Sequence, residues 1–261
     1  MDLKDKVVFV TGSSQGLGAA VAVQVAEKGG YVIINYSSNQ DAAQEISAQC
    51  EALGVQTLIV QGNVQNDDDC RRMVKEAVDK FGRLDCLVNN AGTTKFCDHA
   101  DLEGLTAEDF TNIYSVNVIG AFQMTRAAAP HMKAVGHGAV VNVSSIAGVV
   151  GIGSSVAYAA SKGALNTMTV SLARALAPEI RVNAVCPGFI GTGWFKNAFG
   201  EEFFDKMVAQ QERDMPLKRA GTPEDIAKSV LWLMEGSDHI TGETLISDGG
   251  LHLGYAPFSM K

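Results

Sequence analysis

Short apolar runs alternate with longer amphipathic segments along this chain, and that alternation limits its fold more than any other feature. Seven runs are rich in Val, Ile and Leu: 6–10, 31–35, 56–60, 84–88, 139–143, 180–185 and 243–246. Runs that are apolar on both sides predict strands of a parallel sheet buried on both faces. Helical patterns lie between them, over 16–28, 41–53, 67–81, 109–132, 157–177 and 223–234. The pattern predicts one α/β domain over residues 1–261, a doubly wound parallel sheet with helices on both faces.

Three residues stand where helix N-caps are expected. Asp41, Thr106 and Thr222 each precede a helical pattern, and Pro223 follows Thr222 at the first helical position. Short polar side chains accept hydrogen bonds from the first free amides of a helix, and proline is tolerated there. The three residues are therefore predicted to cap their helices.

The charge balance argues against nucleic-acid binding. The chain carries 21 Lys and Arg against 29 Asp and Glu, a net charge of −8, and no basic run is longer than Arg71-Arg72. Nucleic-acid binders need basic patches, so we do not expect this protein to bind nucleic acid.

No stretch reaches the ~18–20 apolar residues that span a membrane, and the N-terminus lacks a signal-peptide pattern. We expect a soluble, cytoplasmic protein with no membrane partner.

The cysteines and histidines form no recognisable framework. The five cysteines are widely spaced without a CxxC pair, and the five histidines show no HExxH spacing. Neither a disulfide scaffold nor a metal site is therefore expected, and buried thiols are the prediction.

A glycine-rich loop follows the first predicted strand. It reads Thr11-Gly12-Ser13-Ser14-Gln15-Gly16-Leu17-Gly18 and leads directly into a helical pattern. A phosphate at a strand-to-helix turn needs backbone without Cβ atoms in its way, free amides and the positive end of a helix dipole. Gly12, Gly16 and Gly18 meet that need, although a purely structural tight turn would use the same residues.

Further motifs recur in a fixed order behind this loop. They are Asn89-Asn90-Ala91-Gly92, Asn117, Ser144-Ser145, Tyr158-x-x-x-Lys162, Pro187-Gly188 and Asp248-Gly249-Gly250. With the TGxxxGxG spacing of the loop, they make the chain resemble the short-chain dehydrogenase/reductase family over residues 7–250, including its β-ketoacyl-carrier-protein reductases. The resemblance implies a Rossmann-type fold and an oxidoreductase that moves a hydride between a nicotinamide cofactor and a ketone or secondary alcohol.

The resemblance also assigns a catalytic set. It implies Asn117 in a proton relay, Ser145 on the substrate oxygen, Tyr158 as acid or base, and Lys162 near the tyrosine and the nicotinamide ribose. Four residues apart on a helix, Tyr158 and Lys162 share a face, and a nearby ammonium should lower the pKa of the phenol. Ser144 is the competing serine and is expected to be structural.

The cofactor preference is predicted from the end of the second strand. NAD-preferring enzymes place a carboxylate there for the ribose 2′-OH, whereas this chain has Tyr36, Ser37 and Ser38. NADP(H) is therefore favoured over NAD(H), although Gln15 stands where many NADP-dependent relatives carry Arg. The full set of implied cofactor contacts is Gly12, Ser14, Gln15, Gly16, Leu17, Gly18, Tyr36, Ser37, Ser38, Asn63, Val64, Asn90, Ala91, Gly92, Tyr158, Lys162, Pro187, Gly188, Ile190 and Thr192.

Residues 194–216 are predicted to form a lid over the substrate. Trp194 and Phe195 begin an aromatic-rich stretch there, and Thr94 and Phe96 follow the fourth strand as a second wall. An amphipathic lid helix would explain the aromatic residues equally well. An apolar lining favours a small, neutral, hydrophobic ketone or alcohol.

Two other functions stay open. A 3-oxoacyl-[acyl-carrier-protein] reductase would need positive charge to dock its acidic carrier, and the corresponding segments 134–137 and 178–179 carry little. A non-catalytic NADP-binding sensor or scaffold should have lost Ser145, Tyr158 or Lys162, and none is lost.

Self-association is expected from family resemblance. The helices 109–132 and 157–177 are rich in Ala, Val and Met, and family members pair such helices in homotetramers. The tail 251–261, with Tyr255 and Phe258, would lie near another subunit contact. The alternative explanation is that these Ala, Val and Met residues face the sheet and belong to the core of one subunit.

Overall fold

Seven parallel strands form one sheet in the computed structural model, which describes residues 1–236 and 238–254. The strands are β1 Val7–Val10, β2 Tyr31–Tyr36, β3 Thr57–Gln61, β4 Cys86–Asn89, β5 Gly138–Val143, β6 Ile180–Pro187 and β7 Thr244–Ser247. They lie in the order β3-β2-β1-β4-β5-β6-β7. All seven predicted strands are present, and the predicted doubly wound α/β fold is confirmed.

Ten helices connect or follow the described strands. They are α1 Gly16–Glu27, α2 Gln40–Ala52, α3 Asp67–Phe81, α4 Ala107–Tyr114, α5 Ala121–Val135, α6 Ala147–Val150, α7 Val156–Leu176, α8 Gly193–Phe199, α9 Glu201–Asp214 and α10 Pro223–Glu235. The helix predicted over 109–132 is divided, because a π-helical turn, Ser115–Gly120, lies between α4 and α5. The short helix α6 was not predicted.

Each face of the sheet carries its own apolar layer. Alternate residues of a strand point to opposite faces, so Val8 and Val10 pack with α1, α2 and α10. Val7 and Phe9 pack on the other face with α3, α5 and α7. This alternation explains why the strands are apolar throughout.

Two of the three predicted N-caps are confirmed. Thr106 and Thr222 begin α4 and α10, each with a capping box. The prediction for Asp41 is wrong, because the side chain of Asn39 accepts from the Ala42 amide at 3.1 Å and caps α2. Asp41 lies within the first turn, where its negative charge favours the helix dipole.

Among residues 1–236 and 238–254, no helix is both long and apolar enough to cross a membrane. Within the same described ranges, no three His, Cys, Asp or Glu side chains come together as metal ligands. All five cysteines are free thiols: Cys50, Cys70, Cys86 and Cys186 are buried, and Cys97 is half-buried.

Candidate active site

The loops after β1 and β4 hold each other at the carboxyl edge of the sheet. The hydroxyl of Thr11 accepts from the amides of Asn90 and Ala91, both at 2.9 Å. The Asn90 carboxamide donates to the carbonyls of Thr11 and Gly12, at 2.9 and 3.0 Å. Strand order reverses between β1 and β4, which is where open α/β sheets bind ligands. The predicted residue Asn90 therefore shapes this crevice with its side chain.

The glycine loop packs closely against the start of α1 and leaves that helix end uncapped by the described side chains. Gly12 has φ +61°, and a Cβ on Gly18 would lie 2.5 Å from Asn90 Nδ2 and from the Gly12 carbonyl. Helix α1 starts at Gly16, and no side chain of the described residues caps its first turn. Free amides and a helix dipole at an exposed loop fit the pyrophosphate of a dinucleotide. Thr192, from the loop after β6, lies 3.9 Å from the position of a Cβ on Gly16.

The ends of β2 and β3 carry the residues predicted for the adenosine side. Tyr36 is buried at the end of β2, and Ser37 and Ser38 are exposed beyond it. Asn63 donates its amide to Gln65 at 3.0 Å. The Val64 carbonyl accepts from the Gln123 side chain at 2.8 Å, so this loop is held to α5.

Ser145, Tyr158 and Lys162 come together beyond β5. The Ser145 hydroxyl lies near enough to the Tyr158 hydroxyl to favour the phenolate. Lys162 donates to the Val143 carbonyl at 2.8 Å, and its ammonium lies 5.6 Å from the centre of the Tyr158 ring. Ser144 donates instead to the Lys162 carbonyl at 3.2 Å. This bond fits the structural role expected for Ser144 and leaves Ser145 as the serine that contacts the tyrosine.

The pKa values of this pair differ from the expectation. Burial raises the pKa of the Tyr158 phenol to about 12, although the nearby Ser145 hydroxyl acts in the opposite direction. Burial also lowers the pKa of Lys162 to about 8. The direction is opposite to the predicted lowering of the tyrosine pKa, because burial disfavours the phenolate more than its neighbours favour it. The lysine is directed at the Val143 carbonyl and lies over the phenol ring.

Asn117 lies in the π-helical turn, with its side chain fully bonded. Its Oδ1 accepts from the Thr93 amide at 2.8 Å, and its Nδ2 donates to the Thr93 carbonyl and the Ser161 hydroxyl, both at 3.0 Å. Ser161 precedes Lys162 on α7. Asn117 therefore joins the loop after β4 to the helix that carries Tyr158 and Lys162. Single π-helical turns often occur at functional sites.

Helix α6 crosses α7 beside Lys162 at close range. A Cβ on Gly148 would lie 2.4 Å from the carbonyl carbon of Lys162 and 2.6 Å from the Gly163 nitrogen. Glycine at position 148 therefore sets how closely the segment after Ser145 approaches the lysine. A Cβ on Gly163 would meet only the Gly148 carbonyl, at 3.6 Å.

Aromatic side chains of the predicted lid pack against Tyr158 and against the loop after β4. The ring of Trp194 meets the Tyr158 ring edge-on at 6.3 Å, and Phe96 meets Phe199 in the same way at 4.7 Å. The hydroxyl of Thr94 is hydrogen-bonded to that of Ser154 at 2.6 Å. The predicted lid segment contains α8 and α9, and the Phe195 side chain lies outside what the structure describes.

The segments used to weigh carrier docking lie elsewhere. Residues 134–137 and 178–179 come directly before β5 and β6, at the amino edge of the sheet. Tyr158 and Ser145 lie at the carboxyl edge. Within one subunit, the sparse positive charge of these segments therefore does not argue against a carrier protein at the site, contrary to the expectation. Tyr255 and Phe258 of the tail lie outside the described residues.

The sequence reasoning missed several supporting residues. Asn35, Gly148, Ser154 and Ser161 were not singled out, yet each contacts a predicted site segment. Only Asn35 left a clear signal, as an amide inside the apolar run of β2. The others depend on contacts between segments that are distant in sequence.

Comparisons with known proteins agree with this geometry. The family model described as enoyl-(acyl carrier protein) reductase matches residues 12–252. A Streptomyces violaceoruber protein, named as ketoacyl reductase 2 of the granaticin polyketide synthase, is 43% identical over 95% of this chain and 96% of its own. The 3-oxoacyl-[acyl-carrier-protein] reductase FabG of Staphylococcus epidermidis is 36% identical over 95% of this chain and 100% of its own.

A solved structure shows the same architecture. The protein, from Burkholderia xenovorans and named as a short-chain dehydrogenase/reductase, superposes with a TM-score of 0.89 at 41% identity. The match covers 95% of this chain and 98% of the other.

The contact between α6 and α7 predicts unequal effects of two glycine substitutions. Gly148→Ala should lower the free energy of unfolding by about 1–3 kcal/mol, because the new Cβ must push α6 away from α7. Gly163→Ala has room for its Cβ and adds a better helix former, so it should change stability by less than about 1 kcal/mol. Urea unfolding of both variants checks this, and equal losses would contradict the proposed contact.

Proposed function

Since the chain belongs to the short-chain dehydrogenase/reductase family, and is an oxidoreductase of that family, we propose that it is an NADP(H)-preferring ketoreductase. One observation carries the proposal. The hydroxyls of Ser145 and Tyr158 lie near each other and beside the buried Lys162, at the same edge of the sheet as the glycine loop. A proton donor, an oxygen-binding hydroxyl and a cation are the groups that carbonyl reduction requires.

The proposed mechanism assigns a step to each side chain. A bound nicotinamide cofactor supplies the hydride in reduction and accepts it in oxidation. Tyr158 donates its proton to the carbonyl oxygen as the alcohol forms, and Ser145 donates a hydrogen bond to the same oxygen. The ammonium of Lys162 stabilises the tyrosinate left behind, which regains a proton from solvent. Asn117 supports this relay by joining Thr93 of the loop after β4 to Ser161, the residue before Lys162.

The residues that would hold the cofactor lie along the carboxyl edge. The loop 12–18 and the start of α1 would take the pyrophosphate, and the segment 187–192 after β6 would lie along the nicotinamide. Ser37 and Ser38 would face the ribose. Neither is acidic, so a 2′-phosphate meets no carboxylate at this position, and this supports NADP(H) over NAD(H).

The proposed substrate is a neutral, hydrophobic ketone, or the corresponding alcohol. The exposed ring of Trp194 beside Tyr158 and the ring of Phe96 support an apolar substrate. A 3-oxoacyl thioester is the second candidate, because the Streptomyces and Staphylococcus relatives are named as reductases of ketoacyl groups.

We further propose a homo-oligomer, a tetramer by family resemblance, in the cytoplasm. Ile119 and Phe122 are exposed on the predicted pairing helices, and Trp232 is exposed on α10. Exposed apolar side chains of this kind are typical of subunit contacts. The free thiols are typical of a reducing compartment.

One variant should lose turnover while it keeps its affinity for the cofactor. Tyr158→Phe should lower kcat at least about a hundredfold, because the proton donor is lost, while NADPH affinity stays within about twofold. NADPH consumption, followed by absorbance with cyclic, aryl and 3-oxoacyl ketones, measures the first quantity, and fluorescence titration measures the second. Tyr31→Phe, which removes a hydroxyl at the amino edge, is the control. If wild-type protein binds NADPH and reduces no ketone, the sensor function is favoured instead.

Reduction should weaken in alkaline solution. Since the pKa of Lys162 is lowered to about 8, its ammonium is present below that pH and is lost above it. The kcat/KM for ketone reduction should therefore fall as pH rises through about 8. In Lys162→Arg the charge persists, so any remaining activity should lack this fall. A wild-type profile that stays flat to pH 10 would contradict the assignment.

A carboxylate at the end of β2 should weaken the preference for NADPH. Ser37→Asp should weaken NADPH binding about tenfold, because the new charge repels a 2′-phosphate, and should leave NADH binding nearly unchanged. Gln56→Glu, an added charge at the exposed amino edge before β3, is the control. Equal effects of Ser37→Asp on both cofactors would refute the predicted ribose position.

A further inference from the structure

We infer that Asn35 is a positioning residue for the cofactor, because its buried carboxamide joins the phosphate-facing loop after β1 to the adenine-facing loop after β3. This inference rests on the proposed function, since it concerns how the same site is held in shape. Asn35 itself lies in β2, between those two strands.

The two ends of the carboxamide bind different loops. Oδ1 accepts from the Gly12 amide at 2.9 Å, and Nδ2 donates to the Gly62 carbonyl at 3.1 Å. Only 2% of Asn35 is exposed. Buried amides of this kind leave costly unpaired groups when their partner is removed. The side chain therefore fixes the separation of the two loops.

Ser13 strengthens the same junction. Its hydroxyl donates to the Val10 carbonyl at 2.8 Å and accepts from the Asn35 amide at 3.0 Å. Its own amide donates to the Asn35 carbonyl at 2.9 Å. Backbone and side chain of Asn35 thus both bind the glycine loop, at two consecutive residues of that loop.

The partners of Asn35 have little freedom to adjust. Gly12 has a positive φ, and a Cβ there would lie 3.1 Å from the Ala91 Cα. A Cβ on Gly62 would lie 2.5 Å from the sulfur of Met73. Because the Gly12 amide is taken by Asn35, the amides left for a phosphate are those further along the loop. Holding these loops before binding reduces the ordering cost of the cofactor.

Asn183 provides a matched comparison at the other edge of the sheet. Its Oδ1 accepts from the Glu243 amide and its Nδ2 donates to the Ile240 carbonyl, both at 3.0 Å. It is 1% exposed, and its partners precede β7 at the amino edge. Removing either carboxamide frees one closely bonded amide and one closely bonded carbonyl. Asn35 would also lose a contact at 3.1 Å with the sulfur of Met73 and longer contacts at 3.4 Å with two carbonyls, those of Tyr36 and Val60. Only Asn35 touches the cofactor loops.

The test compares Asn35→Ala with Asn183→Ala. Both variants should lose similar stability in urea unfolding. Fluorescence titration with NADPH and calorimetric titration with ADP should each show an about tenfold higher Kd for Asn35→Ala, equal to about 1.4 kcal/mol, and an unchanged Kd for Asn183→Ala. With saturating NADPH, kcat of Asn35→Ala should stay within about twofold of wild type, because the catalytic side chains are untouched.

The outcomes separate the two proposals. Wild-type protein that binds neither NADPH nor ADP overturns the proposed function itself. Wild-type binding with an unchanged Kd in Asn35→Ala overturns only the positioning role, as does an equal rise in Asn183→Ala. If Asn35→Ala does not fold, Asn35→Ser takes its place. Its side chain is too short to reach Gly62, so its Kd for ADP should also rise, and an unchanged value would reject the inference.

Discussion

The buried ammonium of Lys162 is the interaction on which the arrangement of this site depends. Only 4% of the residue is exposed, and its amine is held by the Val143 carbonyl at 2.8 Å. A charge removed from water is costly unless polar partners surround it. The Val143 carbonyl is the polar partner of the ammonium, and two contacts hold the backbone of the lysine: Ser144 donates to its carbonyl, and Gly148 lets α6 approach it closely. The same contacts position the other two side chains, because Ser145 follows Ser144 and Tyr158 lies on α7 with the lysine.

The site gains positive potential locally, despite the chain's net charge of −8. A dinucleotide carries several negative charges, and the bulk of this protein repels them. In the proposed function the compensation would come from Lys162, from loop amides and from the start of α1, where no described side chain competes for the first turn. Rigid loops matter for the same reason, since amides act on a phosphate only when they point at it.

The sheet could be predicted from the sequence because a strand buried on both faces is a continuous run of apolar residues, such as Val7 to Val10. It also placed the motif residues at one edge, because carboxyl ends of parallel strands share an edge. The direction of the Tyr158 pKa shift could not be predicted, because it depends on burial by segments distant in sequence. The partners of Asn117 were hidden for the same reason. The cap of α2 was misplaced because Asn39 and Asp41 are both suitable residues two positions apart.

The central claim is that Lys162 is buried beside Tyr158 and holds its charge only below about pH 8. Heteronuclear NMR of protein labelled with ¹³C and ¹⁵N in lysine can follow each Cε methylene group during a pH titration. The account predicts one lysine signal that titrates near pH 8 and is absent from Lys162→Arg. If every lysine, Lys162 included, titrates near the ordinary value of about 10.4, the buried ammonium is not as described and the account is contradicted.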